Sequence, residues 1–246
     1  MRIRCYLAMT CTEFSSADNL PPRIAWMACH FSCYGTGLSN LPPALPKGSM
    51  VIINDRTPPH GHDPHTILHQ LQMLQDRQEE ISFLFDFQRP EIPETKDLVT
   101  LIAKKLNSPF AVTEHYAKDA DCAVFIQAAP PHIPLDQWIA PWQPRKIWLE
   151  IAQTAERAVL TEQGCHFMDM PEYSPTGPVF YDDKLHSHYH TKIFSDHAEF
   201  FLYRNQEMLP QFLNEAENLG IDTAIGLFQQ FRNVSDLLLN KKAPEM

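Results

Sequence analysis

Val51-Ile52-Ile53-Asn54-Asp55, Ser82-Phe83-Leu84-Phe85-Asp86, Phe110-Ala111-Val112-Thr113-Glu114 and Lys146-Ile147-Trp148-Leu149-Glu150 are four short runs, largely apolar, that each finish on a carboxylate. Near-continuous apolar runs suit parallel strands buried on both faces. Acids at their C-terminal ends suit a β/α barrel, whose polar pocket is built at that end of the strands. The intervening segments agree. Asp63-Pro64 supplies an N-cap acid followed by proline at the first helical position, and Ile67, Leu71 and Leu74 then fall on one helical face. After Pro93, a helix over Thr95–Leu106 carries Leu98, Leu101, Ile102 and Leu106 on one stripe. Strand, helix and strand at this spacing form a βαβ series.

Working outward, further strands are expected at Ile3–Met9, Ile24–His30, Phe110–Tyr116, Ala123–Gln127, Lys146–Ile151 and Thr223–Phe228. Helices are expected near Leu135–Ile139 and over Met208–Leu219, the latter closed by Gly220. In the Gly/Pro-rich connection from Gly35 to Gly48, only Leu38–Leu41 suits a helical turn. The rhythm breaks between Glu156 and Tyr203. Ala158-Val159-Leu160, a Gln163-Gly164 turn and Cys165–Met168 read as a β-hairpin, followed by a loop containing Pro171, Pro175 and Pro178. The resulting expectation is one domain over residues 1–246: an irregular TIM-like (β/α)8 barrel with a β-rich insertion near 156–203.

Composition narrows the function. Of the 246 residues, 44% are hydrophobic and 20% charged, a globular balance. A net charge of −10 leaves no basic stripe, so neither nucleic acid nor an anionic membrane is an expected partner. A small-molecule or oligosaccharide ligand fits better, and the oligomeric state is left open. The six cysteines form no CxxC pair, and several sit in apolar runs, so buried thiols are expected rather than disulfides. The apolar stretch at the N-terminus is too short for a signal peptide, no run reaches membrane-spanning length, and a cytoplasmic location is the expectation. No GxSxG, GxxxxGK[ST] or GxGxxG occurs, and no cofactor is expected.

The acids at the strand ends are the candidate chemistry. Glycoside hydrolysis uses two carboxyl groups, about 5–5.5 Å apart for retention or roughly 6.5–9.5 Å for inversion, and strands of one barrel mouth can supply either separation. Glu114 and Glu150 are the candidate acid/base pair, Asp86 is a candidate for orienting the ligand, and Asp55 completes the set. Tyr116, Gln127, Gln88, Trp142 and His188 are candidates for ligand contacts, since aromatic rings hold apolar sugar faces while amides and imidazoles fix orientation. Trp148 lies within a strand and reads as core.

Phe85-Asp86-Phe87-Gln88 resembles the tail of the Asp-x-Asp-x-Glu strand motif of family 18 chitinase-like barrels. The resemblance implies a glycoside hydrolase-like barrel in which Asp86 helps to position a substrate acetamido group. It also marks two departures. Leu84 stands at the earlier Asp position, and Gln88 stands where the motif places its general acid, so the proton donor of that mechanism is missing. A non-catalytic sugar-binding barrel is therefore the alternative.

Histidines supply the rival reading, a metal-dependent hydrolase. His60, His62, His65 and His69 cluster in sequence, and His186, His188 and His190 share one face if their segment is a strand. No HExxH motif or ordered downstream Asp accompanies them, and no bound metal is expected.

Overall fold

The computed structural model describes residues 3–35, 37–58, 61–89, 92–118, 120–170 and 173–232; His60 and Pro171 lie outside the described residues. The elements run β1 (Arg4–Met9), α1 (Cys11–Ser16), β2 (Ile24–Phe31), β3 (Leu38–Ser39), β4 (Met50–Asn54), α2 (Pro64–Arg77), β5 (Ser82–Asp86), α3 (Pro93–Lys105), β6 (Phe110–Thr113), α4 (Glu114–Ala117), β7 (Ala123–Ile126), α5 (Leu135–Ile139) and β8 (Ile147–Ile151). There follow β9 (Thr154–Thr161), β10 (Gly164–Met170), β11 (Phe180–Asp182), β12 (Ser187–Ile193), β13 (Ala198–Arg204), α6 (Leu209–Asn218), β14 (Thr223–Leu227) and α7 (Phe228–Phe231).

Eight strands, β1, β2, β4, β5, β6, β7, β8 and β14, pair in parallel, and the sheet closes because β1 pairs with both β14 and β2. The register sets Asn54 beside Asp86 and Ile225 beside Glu150. Alternation along the strands divides the core. Ala8, Met50, Ile52, Leu84, Phe125, Trp148 and Ile225 fill the barrel interior. Their neighbours Val51, Ile53, Phe83 and Phe85 face outward onto Ile67, Leu71 and Leu74 of α2 and Leu98 and Ile102 of α3. Leu7, Val124, Leu149 and Ile151 make the matching outer layer with α5 and α6. Helix α2 starts as its sequence requires: Asp63 accepts hydrogen bonds from the backbone of His65 and Thr66, and Pro64 opens the helix.

The insertion is an antiparallel sheet ordered β10-β9-β13-β12-β11. It is fastened to the loop between β7 and α5. The buried Arg204 guanidinium donates to the carbonyls of Ala129, Ile133 and Leu185, the Ser187 hydroxyl donates to Pro131 O at 3.0 Å, and His132 pairs with Glu156 at 2.7 Å.

Several expectations need correction. Leu38–Leu41 makes no helical turn: Leu38 and Ser39 form a short antiparallel strand on His30 and Phe31, and Asn40 turns the chain at φ 53°. The expected strand to Tyr116 stops at Thr113, whose hydroxyl donates to Phe87 O, and α4 takes over at Glu114. His186 precedes β12 at φ 46°, so only His188 and His190 share its face. All six cysteines are free, but only Cys5 and Cys29 are buried; Cys11, Cys33 and Cys165 are exposed. Helix α1 has no apolar periodicity to announce it. It is nucleated by a capping box in which Thr10 Oγ1 accepts from Glu13 N and Glu13 Oε2 accepts from Thr10 N.

Candidate functional site

The parallel strands bring their C-terminal ends to one rim, around a cavity of about 560 Å³. Its floor is apolar, formed by Ile52, Leu84, Phe125 and Ile225. Its polar wall is Asn54, Asp55, Arg56, Asp86, Gln88, Arg89 and Glu150. Asp86 and Glu150 arrive there by alternation: each stands two residues beyond an interior apolar residue, Leu84 and Trp148 respectively.

Both carboxyl groups are held above the ordinary carboxylate range. For Asp86 the main cause is desolvation by burial; the hydrogen bond from Gln88 opposes it and the charge of Asp55 adds to it. For Glu150 it is again desolvation, opposed by the hydrogen bond from Ala128 N at 3.2 Å and reinforced by the charge of Asp86. Gln88 links the wall together. Its Nε2 donates to Asp86 Oδ1, and its Oε1 accepts from Gln127 Nε2 at 3.0 Å.

Asp55 lines the cavity but is also a loop anchor, buried and accepting from the backbone of Gln88 at 3.0 Å and of Arg89 at 2.9 Å. Tyr116 is buried outside the cavity lining, where its hydroxyl accepts from Ile92 N and donates to Arg89 O, pinning the same loop. Glu114 opens α4 and is not among the residues lining the cavity. Nor is Trp142, which packs into the outer layer near α5. His188 sits on the insertion sheet against Tyr181 and Tyr203. The structure thus gathers Asp55, Asp86, Gln88 and Glu150, with Gln127 hydrogen-bonded to their edge.

Asn54, Arg56 and Arg89 line the cavity and were not read from the sequence. Asn54 had a signal: it lies two residues after Ile52 on the interior face, the phase that also marks Asp86 and Glu150. Among the described residues no three His, Cys, Asp or Glu side chains gather in a way that could hold a metal ion. His62 accepts from Gly37 N and stands against Phe31, while His65 and His69 are exposed.

This architecture has clear structural relatives. The spore cortex-lytic enzyme SleL of Bacillus cereus superposes with a TM-score of 0.55 at 12% identity, over 98% of this chain and 76% of that one. A chitinase from Chromobacterium violaceum gives 0.53 at 11% identity, over 93% and 95% of the two chains. A mutant GH18 chitinase from Cycas revoluta in complex with (GlcNAc)4 gives 0.55 at 10%, over 96% and 97%. The barrel is family 18-like. At these identities the likeness is one of fold. No protein-family profile matches the sequence, and no curated protein matches it. No helix among the described residues is long and apolar enough to cross a membrane.

Proposed function

We propose that the protein is a glycan-binding barrel that lacks hydrolytic activity, and that its mouth takes an N-acetylated amino-sugar chain. The observation that carries this reading is the Gln88 side chain. An amide has no titrating proton to give a leaving group. This one is engaged at both ends, donating to Asp86 and accepting from Gln127. Fixed amide and carboxyl groups above an apolar floor suit sugar recognition, and about 560 Å³ is an ordinary size for a ligand cavity. The neighbours support the ligand class, since one of them is a chitinase in complex with (GlcNAc)4.

Calorimetry with (GlcNAc)4, beside an assay for new reducing ends, tests the reading. Binding without hydrolysis is expected. Asp86→Asn should weaken binding about tenfold, the loss of one charge-assisted contact, while Glu114→Gln should leave it unchanged. No binding, or binding indifferent to Asp86→Asn, overturns the proposal. A second reading is favoured by the raised affinity of Glu150 for its proton. Here Glu150 serves as general acid with Asp86 as its partner carboxyl, and Glu150→Gln abolishes turnover of any sugar the parent cleaves.

A further inference from the structure

We propose that the root of the insertion is a second ligand site, built for an uncharged saccharide unit. A depression of about 530 Å³ opens where β9 begins and β13 ends, with Gln153, Thr154, Tyr173, Ser174, Tyr203 and Asn205 in its lining. Two of these groups have unmet needs. Thr154 Oγ1 and Tyr173 Oη are buried, and neither has a hydrogen-bond partner among the described residues. A buried hydroxyl without a partner is destabilising, and a ligand hydroxyl that meets it relieves the deficit. The phenol is also fixed in place: the Tyr173 ring stacks on Phe201 at 4.9 Å and 6° and tilts against Tyr203 at 5.4 Å.

The lining decides the ligand class by elimination. No carboxylate borders the depression, which disfavours a cation. Arg204 does border it, but its guanidinium is committed to the carbonyls of Ala129, Ile133 and Leu185, which leaves little for an anion. What remains is hydroxyl groups, two aromatic rings and the Gln153 Oε1 and Asn205 Nδ2 ends of two amides whose other ends hold Gln230 O and Glu207 N, the set that recognises a neutral polyol. The site is separate from the barrel mouth, sharing none of its lining residues. Choosing a saccharide among neutral polyols rests on the glycan-binding reading above; the location of the site does not.

The test uses the full chain labelled with 3-fluorotyrosine, with the Tyr173 and Tyr203 fluorine resonances assigned from Tyr173→Phe and Tyr203→Phe. Chitotetraose, cellotetraose and mannotetraose are the probes. At least one should shift both resonances saturably, in the parent and equally in Asp86→Asn. Thr154→Val, which keeps the shape and removes the hydroxyl, should weaken that titration at least fivefold without lowering the melting temperature. The proposal is overturned if none of the three probes moves the resonances, if the shifts vanish in Asp86→Asn, or if Thr154→Val titrates like the parent. Failure of the barrel-mouth reading looks different: calorimetric binding of (GlcNAc)4 is then absent or unaffected by Asp86→Asn while the tyrosine resonances still respond.

Discussion

Gln88 carries the proposed reading of the barrel mouth, and a single substitution interrogates it. Gln88→Glu places a carboxyl group beside Asp86, where the pair would share a proton as crowded acids do. If the rest of the mouth still presents a glycan correctly, slow release of reducing ends from (GlcNAc)4 should appear in this variant and be absent from the parent. The two half-buried acids make a second prediction. A carboxyl group whose folded-state pKa is raised binds its proton more tightly than in the unfolded chain, so the stability it confers is complete below the ordinary carboxylate range. That stability declines as pH rises through the ordinary value and the raised one. Glu150→Gln removes the titration while its amide oxygen can still accept from Ala128 N. Its melting temperature should therefore exceed the parent's at pH 7 and approach it at pH 4; a uniform loss at both would contradict the burial argument. At this scale the sequence showed which acids exist but not which face the cavity. Asp86 and Glu150 lie on the interior phase of their strands, Asp55 reaches the cavity from a loop, and Glu114 follows a strand that ends at Thr113, three residues short of the expected Tyr116.

Elements owe their positions to a few buried polar clamps that no periodicity reveals. Arg204 is the principal one, its guanidinium pushed down to about 10 by burial and satisfied by carbonyls of the β7–α5 loop and of Leu185. Arg204→Met should cost on the order of 3 kcal/mol, because it strands those acceptors and the nearby charge of Glu156. Arg204→Lys should restore little of this, since one ammonium cannot match a planar fork. Urea midpoints measure both. Tyr116→Phe should cost about 1–3 kcal/mol by removing the hydroxyl between Ile92 N and Arg89 O, and the loop it releases carries Gln88, so ligand affinity should fall with it. Helix α2 was legible because cap, proline and apolar stripe coincide, and α3, whose N-cap Ile92 makes no side-chain cap, from its proline and stripe alone. The β9–β10 hairpin was legible from its turn, where Gly164 adopts φ 133°. Short α1 and β3 were not, since one rests on a capping box and the other on pairing with a distant strand.

The whole molecule repeats that division between local and distant causes. The parallel order of β4, β5 and β6 followed from the spacing of strands and helices, but the closure of β1 onto β14 and β2 joins the two ends of the chain and has no local signature. The insertion was visible as a loss of rhythm, and its five-stranded antiparallel order was not. The way that sheet leaves and rejoins the barrel has its own significance. Thr154 at its start lies directly opposite Arg204 at its end, so the excursion departs and returns at neighbouring positions, and the barrel experiences it as little more than a tight connection. Replacing residues 154–204 by a short Gly/Ser linker should leave a folded barrel of lower melting temperature, with the near-ultraviolet signal of buried Trp148 retained. Such a cassette can lengthen or be exchanged while the eight strands beneath keep their register. The barrel is thereby a chassis that holds its insertion by one pair of neighbouring residues and by the clamps to the β7–α5 loop.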